Sequence, residues 1–452
     1  MTNHHHLLAE MRRLLGDGHV LTDPEMTAGY ATTWTGERAG APLAVLRPGD
    51  AVEVRAAVRM LADAGVPIVP QGGNTGLAGG AAPADGEVIV NLRRLSSVAA
   101  AEGGPPAIVA GAGATLADVA AAAGRHGMEF PLDIGARAEA TVGGMLATDA
   151  AGRHAWRHGS MRSLAARTEA VLADGTPVGG TTPGGGIGAV EGMFAGSEGG
   201  LGIITATRLR LIPRRPRRAL AVVPVGGADD AALLARRAVA LHPVEAVEMV
   251  FAADAIELLE RHLGLAPLFD PVPEAVLFVE AAGGRDLPDV LAEVVDDDRA
   301  LIGDDPATRH RLWRHREAIS EITVGPEPAF KAAVGIPADH LVGFERSLRS
   351  SFPGHPLALF GHLSTGCFHV NLHGLPAGGH DAARDRIVET TIDAGGWIAA
   401  EHGFGRTYRP WLARVVPAPD LAAAGTIKAA LDPDGVMNPG VGAFDASAHR
   451  AR

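Results

Sequence analysis

Three stretches crowded with glycine fall in the first 215 residues: PQGGNTGLAGG at 70–80, PLDIGARAEATVGGMLATDAAG at 131–152 and GSEGGLGIIT at 196–205. The first follows VPIVP, a short apolar run that reads as a buried strand. Glycines there let successive N–H groups turn inward, and let an anion such as a diphosphate approach without meeting a Cβ. Taken alone, such a loop is more often a turn than an anion site. It is not a Walker loop, because no Gly-Lys-Ser/Thr follows, and it is not a GxGxxG fingerprint. Three such regions in one unit are hard to explain as turns. Together they point to a large ligand laid across one domain, in close contact with the backbone.

The intervening sequence alternates helix and strand. Residues 50–65 place Val52, Val54, Val58, Leu61 and Ala62 near helical spacing and stop at Gly65. EVIVNL at 87–92 and AIVAGAGATL at 107–116 read as strands, and a helix capped by Thr115 ends near Gly127. TEAVLADGTPV at 168–178 reads as a hairpin turning at Asp-Gly. Such alternation implies mixed α/β architecture. The basic run RRPRR at 214–218 reads as a solvated linker and marks a boundary. The expected domains are 1–215, 216–400 and a C-terminal segment, 401–452.

Composition removes several classes. Hydrophobic residues make up 47% of the 452, enough for a large core, yet no clean apolar run reaches about 20 residues, so no membrane span is expected. The net charge of −12 and only 4% aromatics argue against nucleic acid as a partner. The N-terminus lacks the pattern of an export signal, and the single cysteine, Cys367, excludes an internal disulfide. A cytoplasmic location is therefore expected. A homodimer is the default oligomer, although nothing in the sequence demands one.

A second cluster of chemistry lies in LALFGHLSTGCFHVNLH at 357–373. Ser364-Thr365-Gly366 is turn chemistry. Beyond it Phe368, Val370 and Leu372 alternate with His369, Asn371 and His373, so a strand here has one apolar and one polar face. A hairpin with a four-residue loop is expected to set His362 opposite His369. With Glu401 of AAEHGFGR, two imidazoles and a carboxylate could hold a divalent metal with open positions. Among 19 histidines, however, a lone polar-face histidine is more often structural. Cys367 reads as a small buried hydrophobe rather than a further ligand. Lysine occurs only twice in this arginine-rich chain, as Lys331 and Lys428. A compact ammonium and a planar guanidinium are not interchangeable at a tight site. Lys331 sits between Phe330 and an apolar strand, where lysines shift their pKa, whereas Lys428 reads as a helix-surface or capping residue.

PQGGNTGLAGG, PLDIGARAEATVGGMLATDAAG, ADGTPV and GSEGGLGIIT together resemble the vanillyl-alcohol-oxidase-type FAD-binding domain. The resemblance is to the branch of D-lactate dehydrogenase, D-2-hydroxyglutarate dehydrogenase and the glycolate oxidase FAD subunit, and it covers about residues 25–442. It implies a two-part FAD-binding domain, an α/β substrate (cap) domain with an antiparallel sheet, and a C-terminal segment closing on the flavin. It places Pro70, Gln71, Gly72, Gly73, Asn74, Thr75, Gly76 and Leu77 at the diphosphate. Pro131, Asp133, Gly143, Gly144, Thr148, Gly152, Glu198, Ile203 and Asn438 would lie along the cofactor. Asn74 stands near the place where some relatives tether FAD through a histidine, so the FAD is expected to be non-covalent. GHLSTGCFHVNLH resembles the family's GHxGDGNxHxN, and EHGFGR its EHGxG. His362, His369 and Glu401 would then hold a zinc-like metal, with His402 as general base and Asn371 as a neighbouring substrate contact. LWRHREAISEITVGPEPAFK resembles a W-x-x-R-E segment followed by lysine, which casts Arg316, Ser320 and Lys331 as contacts to a substrate carboxylate.

The chain departs from the pattern at GDGN, which is STGC here, and in lacking an Asn-x-x-Gly-Tyr-Asp-Leu stretch before Phe194. These departures leave the substrate open. The expected activity is oxidation of a small D-2-hydroxy acid, of the D-lactate or D-2-hydroxyglutarate class, with an electron acceptor the sequence does not identify. The alternatives are a flavin oxidase of a different, specialised alcohol, a flavin-free metal-dependent hydrolase, and a non-catalytic flavin-binding subunit.

Overall fold

A computed structural model describes residues 2–34, 36, 39–184, 187–241, 243–284, 286–295, 297–322 and 329–444. The chain divides into two compact units. One runs up to Ala151, resumes over Gly159–Arg214 and takes the chain again from His402; the other holds Gly152–His158 and Arg215–Glu401. Strands are numbered β1–β19 in chain order.

The first unit contains two main sheets. One pairs β1 (Val20–Leu21), β2 (Ala44–Leu46), β4 (Val88–Asn91) and β3 (Ile68–Gln71), in that order. The β2–β4 and β3–β4 pairs are parallel. The other orders β5 (Val98–Ala100), β6 (Ala107–Gly111), β10 (Ile203–Arg210), β8 (Ala165–Val171) and β9 (Pro177–Gly179), all antiparallel. A small pair joins β7 (Met128–Glu129) to β11 (Ile212–Pro213). The helix Ala51–Asp63 forms where the apolar spacing places it. Asp50 caps it by accepting from Glu53 N at 2.8 Å, and Val54, Ala57, Val58 and Leu61 are buried. Each larger apolar side chain in that stripe contributes about 1.5–3 kcal/mol. Val52 has the right chemistry but the wrong angle, and is 69% exposed. Thr115 and Asp118 make a reciprocal capping box on the helix Leu116–Arg125. The Asp174-Gly175 turn closes the β8–β9 hairpin as its sequence implied.

The second unit is built on one eight-stranded, wholly antiparallel sheet. Its order is β15 (Leu301–Gly303), β12 (Arg218–Val225), β14 (Ala275–Ala282), β13 (Val244–Phe251), β17 (Leu357–His362), β18 (Cys367–Leu372), β16 (Phe330–Gly335) and β19 (Trp397–Ile398). Helices Ala228–Val239, Leu287–Val295, Leu341–Ser351 and His380–Asp393 bury one face. Helices Ala252–Leu263 and Pro306–Ile322 cover part of the other, over Val222, Val250, Phe278, Ala358 and Phe360. The linker reading of RRPRR needs correction. Arg214, Pro216 and Arg217 are exposed, but Arg215 pairs with the buried Glu245, and Arg218 Nη1 lies 3.4 Å from the buried Glu280. A carboxylate buried in a sheet needs a partner, and the basic run supplies it. Residues 152–158 add His158 to Glu245 at 2.8 Å and His154 to Glu280 at 3.2 Å.

Candidate active site

In the first unit the three glycine-rich stretches meet. A Cβ on Gly72 would stand 2.1 Å from Thr141 Oγ1, and one on Gly73 would stand 1.9 Å from Glu139 O, so the first loop lies directly on the second. Glu198 N donates to Ala147 O at 2.8 Å and Gly196 N to Leu146 O at 3.0 Å, which brings in the third. Gln71 is buried, and its amide donates to Tyr30 O and Ala81 O at 2.8 and 2.9 Å. That amide ties the start of the loop to Tyr30 and Ala81. Asn74 Nδ2 donates to Thr32 O at 2.8 Å. Thr75, Gly76 and Leu77 complete the loop, half-buried, and Pro70 lies against Gly199.

Gly143 and Gly144 lie in the helix Val142–Ala147, and Thr148 Oγ1 donates to Gly144 O at 3.0 Å. Pro131 is buried, Asp133 pairs with Arg137, and Ile203 opens β10. Gly152 begins the short segment that packs as part of the second unit.

The chain from His402 on completes this assembly. Val436–Asn438 lies alongside β3, with Ile68 N donating to Val436 O and Asn438 N to Ile68 O, both at 2.8 Å. Asn438 Nδ2 donates to Gly80 O at 2.9 Å and Glu198 O at 2.6 Å. Glu198 accepts from Phe404 N and Gly405 N at 2.9 and 2.7 Å. Burial pushes its carboxyl up to about 7, although these two N–H groups oppose the shift. Lys428 is a correction to its surface reading. It is 1% exposed, donates to Gly200 O and Met437 O at 2.7 Å each, and pairs with Asp432 at 2.6 Å. A helix-end lysine looks the same in sequence whether it faces water or a loop folded back over it.

Two features of these residues fit a large bound cofactor. Thr141 Oγ1 and Asn438 Oδ1 are buried with no hydrogen-bond partner among the described residues. Such groups are normally satisfied. Asn74, Glu198, His402 and Asn438 also account for four of the seven described non-glycine residues with positive φ. Strain of this kind costs about 1–3 kcal/mol per residue and gathers at functional sites.

In the second unit the sheet face under the two helices turns polar toward one end of the strands. Glu248 on β13 pairs with His362 at the end of β17, and His362 pairs with Cys367 at the start of β18. The four-residue loop is therefore present, but it sets His362 opposite Cys367. His369 lies opposite Phe360 and Ala333, on the same face and diagonal to His362. The expected direct pairing is wrong because a loop of 363–366 pairs the two residues that flank it. Asn371 lies opposite Lys331. Glu401 follows β19 and brings Oε1 to 3.1 Å from His362 Nε2 and Oε2 to 3.5 Å from His369 Nε2. Among the described residues His362, His369 and Glu401 form the one histidine, cysteine or acidic group whose ligand atoms all lie within 4.8 Å. Cys367 is buried, as expected, and burial and then Glu401 push its thiol well up.

The residue that the sequence did not signal is Glu248. It is 1% exposed, contacts His362 Nδ1, and accepts from Arg316 Nε and Nη2 at 2.9 and 2.7 Å. Burial alone would raise its pKa, but the His362 and Arg316 charges win and hold it well below the usual carboxylate range. Burial alone would lower His362, but Glu248 and Glu401 raise it to about 9. Arg316 stacks over Phe360 at 4.4 Å, and Ser320, one turn along the same helix, is exposed. Lys331 makes no ion pair with a described residue, and burial alone lowers its pKa to about 8. The chain passes from the second unit to the first between Glu401 and His402.

This fold is the two-domain FAD-binding architecture of vanillyl-alcohol oxidase and p-cresol methylhydroxylase. It superposes on p-cresol methylhydroxylase with a TM-score of 0.78 at 18% identity, over 99% of this chain and 98% of that one. Residues 42–180 match an FAD binding domain, and 214–441 match the C-terminal domain of FAD linked oxidases. D-2-hydroxyglutarate dehydrogenase of Danio rerio is 30% identical over 94% of this chain and 83% of its own length. The Xanthomonas citri pv. viticola protein of the same name is 29% identical over 93% of each. The chain belongs to the FAD-linked oxidase family and is an FAD-dependent oxidoreductase.

Proposed function

We propose that the protein oxidises a small D-2-hydroxy acid to the 2-oxo acid, using non-covalent FAD and a divalent metal of the zinc type. One observation carries the reading: His362, His369 and Glu401 converge on the same sheet face as Lys331, a partly buried cation with no ion pair to a described residue. Two imidazoles and one carboxylate suit a divalent ion with positions left open. The names of the relatives support the substrate class. When bound, FAD supplies the hydride acceptor and the metal a Lewis acid for the C2 oxygen.

The chain's own residues do the rest. Lys331 receives the substrate carboxylate, because it is the charge that Glu248 does not neutralise. Arg316 and Asn371 flank it, and Ser320 offers a hydroxyl one turn from Arg316. His402 accepts the hydroxyl proton as C2 gives up its hydride.

The test is an anaerobic absorption titration of the purified protein with D-lactate, D-2-hydroxyglutarate and D-malate. Bleaching by one D-acid and not by its L-enantiomer is the expected result. A flavin spectrum that no 2-hydroxy acid bleaches would overturn the substrate class and favour a specialised alcohol. Reoxidation of the bleached enzyme by a quinone, a cytochrome, an electron-transfer flavoprotein or dioxygen then identifies the acceptor.

A further inference from the structure

We propose that Glu248 is the positioning residue of this site, one buried carboxylate that orients both the metal-facing imidazole of His362 and the guanidinium of Arg316. The inference rests on the metal reading given above. The two oxygens of Glu248 divide the work: Oε1 contacts His362 Nδ1, while Oε2 accepts from Arg316 Nε at 2.9 Å and Nη2 at 2.7 Å. Accepting from Nδ1 holds the ring with Nε2 toward Glu401, 3.1 Å away, so that Nε2 is the nitrogen a bound metal would take once its proton is displaced. A metal ligand that donates its other ring N–H to a carboxylate is both oriented and made more basic.

The placement is rigid. Glu248 lies mid-sheet on β13, directly opposite His362 across the β13–β17 pair, and is 1% exposed. The ring of Phe360 lies 4.4 Å below Arg316 and holds the guanidinium from the other side. Because Arg316 is committed to Glu248 along its Nε–Nη2 edge, its charge is largely spent inside the protein. Its part is to keep Glu248 ionised and placed, and recognition of the substrate anion falls chiefly to Lys331.

The test is metal affinity. The metal-free, FAD-loaded protein is titrated with Co²⁺, read by its visible absorption, and the bound Co²⁺ is then competed with Zn²⁺. Glu248→Gln is expected to weaken metal binding by roughly 10–100-fold with flavin content unchanged, the usual effect of losing such a carboxylate. A Glu248→Gln protein with full flavin and wild-type metal affinity would overturn the inference. Wild-type protein that binds neither ion would instead remove the metal reading on which it rests. Breaking a buried ion pair can prevent folding, so Glu248→Gln/Arg316→Met, which removes both charges, is measured as well. It is expected to fold and still bind metal weakly; wild-type affinity in the folded double variant would contradict the proposal. A role confined to stability would lower the melting temperature and leave the Co²⁺ spectrum and affinity of the folded protein unchanged.

Discussion

Lys331 shows how one buried charge can be read through pH. Its folded pKa, about 8, lies below the ordinary 10.5 because burial disfavours the ammonium. Between those values the unfolded chain binds more protons than the folded one, so stability rises with pH there, and below about 8 the full cost of burying the cation is present. Binding runs the other way, since the substrate anion needs the ammonium. The kcat/KM profile is therefore expected to fall as pH rises through about 8, and Lys331→Arg should move that limb to higher pH. An unmoved limb would assign it to another group. Lys331→Met is expected to raise KM roughly 10–100-fold, the worth of a hydrogen bond to a charged group, without lowering stability at neutral pH. For His402, replacement by alanine is expected to lower kcat by about 10²–10⁴-fold while flavin stays bound. Full turnover in rapid-mixing assays would exclude it as the base.

At the scale of elements, the proposed cofactor site depends on close approach of backbone to backbone. The loop after β3 can lie on residues 139–141 only where side chains are absent. Gly73→Ala would drive a Cβ to 1.9 Å from Glu139 O, a main-chain atom that cannot swing away. The expected outcome is loss of flavin absorbance from the purified protein, whereas normal FAD content would show that the loop can shift. The Lys428–Asp432 pair braces the other side. Asp432 accepts from Val436 N and Met437 N at 3.0 and 2.8 Å, so the pair sets the turn that delivers Asn438. Lys428→Met leaves Asp432 buried without its cation, and urea denaturation is expected to show a loss of about 3–5 kcal/mol. The hairpin at Asp174-Gly175 and the caps at Asp50 and Thr115 were legible in the sequence because each depends on residues close together in the chain. The direct pairing expected of His362 and His369 was not reliable, because alternation sets the face but the turn sets the register.

At the scale of the whole molecule, the first unit is assembled from distant pieces of chain. Residues 402–444 supply a backbone pair to Ile68 and the side chains that meet Glu198 and Gly80. A chain ended after Glu401 is therefore expected to lose FAD even if its second unit folds; retention of stoichiometric flavin would contradict this. Added FAD should also stabilise the folded protein by about 2.7 kcal/mol at 100 times its dissociation constant, read as a concentration-dependent rise in melting temperature. The buried glutamates of the second unit follow the same logic. Glu245 and Glu280 find Arg215, Arg218, His154 and His158 only when residues 152–158 and the start of β12 come to the sheet.

The sequence by itself determined the glycine-rich stretches, the period of the helices and strands, the polar face of His369, Asn371 and His373, and the family resemblance, because these are local or written in motif order. It also singled out Lys331 by rarity. Only the tertiary structure decided that Lys428 is interior, that RRPRR neutralises buried acids, that His369 is diagonal to His362, and that Glu248 stands behind the site. Each of these depends on which distant strand or loop arrives beside a residue. A buried carboxylate looks like any other glutamate until the imidazole and guanidinium that stabilise it are brought within hydrogen-bonding distance.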